Sequence, residues 1–62
     1  MKTTIKECQF ENNLEVIIKG EDAVKTRTIK IILTKEQQKY PVIKHMEVKN
    51  AINKIFKEFD KT

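Results

Sequence analysis

The sequence predicts an α+β domain: a three-stranded antiparallel meander with a C-terminal helix packed on one face, β-β-β-α, with a short extra helical turn before the last helix. Three observations predict it. Val48, Ala51, Ile52, Ile55, Phe56 and Phe59 recur at the three-and-four spacing of one helical face. Upstream, Thr3–Phe10, Leu14–Lys19 and Thr26–Thr34 are runs rich in β-branched and apolar residues. Turn clusters separate these runs, and one sheet against one helix is a small arrangement that buries an apolar side of each.

The first two runs flank Glu11-Asn12-Asn13 and read as a hairpin. A two-residue loop at Asn12-Asn13 sets Leu14, Val16 and Ile18 on one face with Glu11, Gln9 and Glu7, an unattractive mixture. A three-residue loop instead sets Phe10 opposite Leu14 and Cys8 opposite Val16, giving a coherent apolar face, and is the preferred register. Gly20–Lys25 forms the second turn. In the third strand Ile29, Ile31 and Leu33 are expected to face the core beside Leu14, Val16 and Ile18. Thr34 with Gln37 three positions on is a capping-box pattern and starts a short helix, which Pro41 interrupts near residues 39–41. Pro41 can open the final helix, which runs to about Asp60, with Val42 and Ile43 expected over an end of the sheet.

All 62 residues are expected to form one domain, and a domain this small buries only about 60% of the surface its unfolded chain exposes. A lone cysteine, Cys8, allows no internal disulfide and no cysteine-based zinc cage. Dimerisation or partner binding is the expected supplement to the core. Lys and Arg number 13 against 9 Asp and Glu, a formal net charge of +4. Such a balance favours acidic surfaces, nucleic acid or anionic lipid. Arg27 is the sole arginine, however, and specific phosphate and guanine recognition leans on the guanidinium fork. The N-terminal residues lack the apolar core of a signal peptide and no long apolar run follows, so a cytoplasmic protein with no membrane contact is expected.

Little in the chain points to catalysis. It has no Ser, and Cys8 with His45 is the one conceivable nucleophile and base. The preferred register turns Cys8 inward, as a small core residue. His45 has no second His or nearby Cys with which to hold a metal. Glu21-Asp22 and Glu58-Asp60 read as a solvated turn and helix end, and the single glycine excludes a glycine-rich phosphate loop. No enzyme activity, cofactor, metal or small-molecule substrate is expected.

Two surfaces are candidates for function. In the preferred register Ile5, Ile17 and Ile32 point away from the helix, interleaved with Glu7, Gln9, Glu15, Lys19, Thr28 and Lys30. Together with Lys30 they are the expected contacts for a protein partner or a second copy. The sheet edges are a variant of the same site, with Lys6, Lys19, Lys25 and Lys30 as charge guards or as flanks of a pairing edge. The alternative surface is the outer face of the helix, where Asn50, Asn53, Lys54, Lys57 and Lys61 combine amides that read adenine edges with cations that neutralise phosphates. The expected function is that of a non-enzymatic interaction module. In style the compact, Lys-rich chain resembles the accessory and inhibitor proteins of phages and mobile elements, a likeness that rests on no motif.

Overall fold

A computed structural model describes residues 1–60. Strands β1 (Lys2–Phe10), β2 (Asn13–Glu21) and β3 (Thr26–Leu33) form an antiparallel meander in the order β1-β2-β3. A 3₁₀ turn over Gln37–Lys39 leads to helix α1 (Pro41–Asp60). The expected fold class is the one observed. Among the described residues no helix is long and apolar enough to cross a membrane.

The core is the meeting of three elements. Val16 and Ile18 from β2, Leu33 from β3, and Ala51 and Ile55 from α1 are buried, with Leu14, Ile29, Ile31, Ile43, Val48, Ile52 and Phe59 packed around them. Helix α1 lies against β2 and β3. Its width accounts for this: a helix is about 10 Å across and strands lie about 4.8 Å apart, so one helix covers two strands. β1 is left over, exposed along its whole length.

This placement explains the register of the first hairpin, which differs from the one expected. The loop is Glu11-Asn12, Phe10 pairs with Asn13, and from there Gln9 pairs with Leu14, Glu7 with Val16 and Ile5 with Ile18. Thr3, Ile5, Glu7 and Gln9 therefore share the helix side with the core residues of β2, while Cys8 and Phe10 lie on the opposite side. The rejected arrangement had put Glu7 and Gln9 on the core face, which is costly only if that face is covered. Over β1 it is not: Glu7 reaches solvent and Lys44, whose Nζ is 2.6 Å from Glu7 Oε1. Glu11 takes φ of 56°, the one positive φ among the described non-glycine residues.

Gly20 is not a turn residue. It is buried in β2, paired with Thr3 and Arg27, and its φ is not positive. A Cβ at this position would stand 2.6 Å from Ile55 Cγ2 and 2.9 Å from Met1 Sδ. Glycine here lets the helix approach the strand. The real turn is residues 22–25, closed by Asp22 N–H donating to Lys25 O. Asp22 Oδ1 accepts from the backbone N–H of Lys25 (2.9 Å) and of Val24 (2.8 Å), which holds its carboxyl below its ordinary pKa.

The expected capping box is present. Thr34 N–H donates to Gln37 Oε1 (2.9 Å) and Gln37 N–H to Thr34 Oγ1 (3.3 Å). The turn it opens ends at Tyr40, extended at φ −118°, and Pro41 opens α1. Gln38 Nε2 donates to Leu33 O and Asn12 O, at 3.1 and 2.8 Å, tying this turn to the end of β3 and to the first hairpin loop. Ile43 joins the edge of the core as expected, whereas Val42 stays exposed. Phe56, counted in the apolar stripe, is also half exposed: it lies beyond Ile52 on the flank of α1 that stops short of β1.

Candidate functional site

Two surfaces converge on β1. The first is the bare face of the sheet. Its cross-strand rows run Thr4–Lys19–Thr28, Lys6–Ile17–Lys30 and Cys8–Glu15–Ile32, with Phe10 beside the hairpin loop. Ile17 and Ile32 are diagonal neighbours, and Cys8 lies diagonal to Ile17 from the other side. Ile32 is 53% and Phe10 65% exposed. Lys30 Nζ reaches Glu15 Oε1 at 3.2 Å and Lys19 Nζ reaches Glu21 Oε2 at 3.8 Å. The Lys30–Glu15 pair spans the other diagonal of the same four residues and so crosses between Ile17 and Ile32, while Lys19–Glu21 lies farther along β2.

Ile5 is not part of this face. The register puts it on the helix side, half exposed, so the expected patch of three isoleucines is not contiguous. Ile17, Ile32 and Lys30 remain together, and Cys8 and Phe10 take the place of Ile5. The signal for this was the loop choice: a two-residue loop at Glu11-Asn12 reverses the face of every β1 side chain relative to a three-residue loop. Cys8 is accordingly exposed instead of inward, with its Sγ 4.0 Å from Gln9 O. The sheet lies between Cys8 and His45, which therefore do not form a dyad.

The second surface is the helix side of β1. Ile5, Glu7, Pro41, Lys44, His45 and Val48 line an open groove of about 340 Å³ between β1 and the flank of α1. It exists because α1 stops short of β1. The edge of β1 continues this groove. In a two-residue hairpin the closing pair, Phe10 with Asn13, is hydrogen-bonded through the turn. Alternation along an antiparallel ladder then turns the N–H and C=O of Gln9, Glu7, Ile5 and Thr3 outward, toward the free edge.

The helix residues of the alternative surface are placed differently. Asn50, Asn53, Lys54 and Lys57 are exposed, and Lys61 lies outside the described residues. Asn50 and Lys54 line a groove of about 300 Å³ with Lys30, and Lys54 and Lys57 line another of about 440 Å³ with Arg27 and Glu58. Both run along the seam of β3 and α1. The seam is of mixed charge: Arg27 Nε is 3.7 Å from Glu58 Oε2, and Glu47 lines the first groove. Asn53 lines neither groove. Among the described residues no group of three or more His, Cys, Asp or Glu is gathered as a metal site would need.

No protein-family model matches the chain, and neither the curated proteins nor the solved structures yielded a match.

Proposed function

We propose that the chain is a non-enzymatic interaction module of the accessory or inhibitor type, which acts by occupying a surface of a protein partner or of a second copy. The observation that carries this reading is an unfinished layer: one helix serves three strands, and β1 is left without cover on either face. The dimensions agree. The Cα trace is a slab of 38 × 19 × 13 Å with a radius of gyration of 12.6 Å, against about 11 Å for a compact chain of this length. The chain exposes 4831 Å², where a compact 7.3 kDa monomer exposes about 4,200 Å². The excess approaches the roughly 800 Å² that each partner contributes to a standard interface. Ile17, Ile32 and Phe10 on the bare face supply apolar contacts for such an interface, and the Lys30–Glu15 pair that crosses between Ile17 and Ile32 supplies polar ones.

The test is the double variant Ile17→Glu with Ile32→Glu. Both side chains lie outside the core, so the variant should keep the wild-type melting behaviour. It should lose the partner that the wild type retains from an extract of its source cells, or the dimer that the wild type forms in a sedimentation run. A wild type that stays monomeric and retains nothing, or a double variant that retains as much, overturns the reading.

A further inference from the structure

We propose that the β1 edge takes an extended acidic segment of a partner protein as a fourth strand, with its carboxylates on the bare side of the sheet and its apolar side chains on the helix side. This rests on the preceding reading that the chain is an interaction module, and it names where and by what chemistry the partner is held.

Three observations select this occupant. The backbone groups that face outward from β1 belong to Thr3, Ile5, Glu7 and Gln9, whose side chains lie on the helix side. A strand added to that edge aligns its own alternate side chains with theirs, so one set lies beside Ile5, at the open groove that His45 and Val48 line from α1. The apolar part of that side is Ile5, 50% exposed, with Pro41 and Val48 across the groove, and Glu7 is already matched by Lys44. The other set falls on the bare side beside Lys2 and Lys6, which have no ion-pair partner among the described residues. Lys30 and Lys19, by contrast, are answered by Glu15 and Glu21. The complement of this edge is a strand that alternates apolar with acidic residues.

A second copy is a poorer occupant. Two β1 edges pair about a twofold axis perpendicular to the sheet, and the registers that keep most of the strand paired are centred on Ile5, Lys6 or Glu7. The last two set Lys6 against Lys6 and Glu7 against Glu7. The first sets Lys6 diagonal to both Lys2 and Lys6 of the copy, and like charges at these spacings oppose pairing. The same lysines that guard the edge against self-pairing favour an acidic strand.

The probe is a capped peptide alternating Glu with Val, titrated into the intact chain while amide hydrogen exchange is followed residue by residue. Strand addition slows exchange at Thr3, Ile5 and Glu7 by about tenfold or more at saturation and leaves Thr4 and Lys6, already bonded to β2, unchanged. Lys2→Glu with Lys6→Glu, which touches no core residue, should weaken binding about tenfold, the equivalent of two cross-strand charge pairs lost and opposed. Ile5→Pro removes an outward N–H at an edge position where proline is tolerated and should abolish the alternating protection. The proposal is overturned by peptide binding without the alternation, by equal binding of a single-stranded oligonucleotide, or by Thr3, Ile5 and Glu7 being protected before peptide is added in a chain that sediments as a dimer. If a natural partner is still retained through Ile17 and Ile32 while the peptide leaves these amides unprotected, this inference fails and the interaction module stands.

Discussion

Gly20 and Glu11 hold two backbone positions that favour glycine, one occupied by it and the other not. At Gly20 a Cβ would meet a buried side chain, Ile55, that has nowhere to go. Gly20→Ala is therefore expected to cost about 1–3 kcal/mol, the usual range for overpacking, seen as a lower urea midpoint at unchanged slope. At Glu11 the positive φ, with none at Asn12, is the pattern of a type II′ turn, whose first central position favours glycine. Glu11→Gly should raise stability by about 0.5–1 kcal/mol, the steric relief being partly offset by a freer unfolded chain. Neither residue declared its role in the sequence: Gly20 beside Glu21 and Asp22 reads as a turn because that trio usually is one. The contact that makes glycine necessary comes from Ile55, 35 positions away.

At the scale of elements the chain was largely legible. Thr34 and Gln37 cap the turn that their spacing implies, Pro41 opens the helix, and Ile29, Ile31 and Leu33 face the core with Val16 and Ile18. These are local patterns, or consequences of strand alternation within one run. The register of β1 was not legible, because its correct value depends on whether its faces are covered, and that is decided by where α1 lies. A rule that apolar faces must match across strands fails on a strand that no helix covers. Gln38 was missed for a related reason: its two acceptors, Leu33 O and Asn12 O, become neighbours only when the meander is assembled. Gln38→Ala leaves both carbonyls without that donor and should cost about 1–2 kcal/mol. The loss should show as faster amide exchange around the Glu11-Asn12 loop and the end of β3, with the middle of α1 changing only with global stability.

For the whole molecule, the ratio of one helix to three strands governs both the fold and the candidate site. The sequence counts those elements correctly but carries no mark of which strand will be left over. Ile5 was therefore placed on the wrong side, while Ile17, Ile32 and Lys30, whose faces follow from β2 and β3 alone, were placed correctly. The core of Val16, Ile18, Leu33, Ala51 and Ile55 draws nothing from β1. Interior packing thus places almost no demand on what β1 is made of, provided it can still extend beside β2. A library randomised across that strand would search for new specificities without spending the stability of its scaffold.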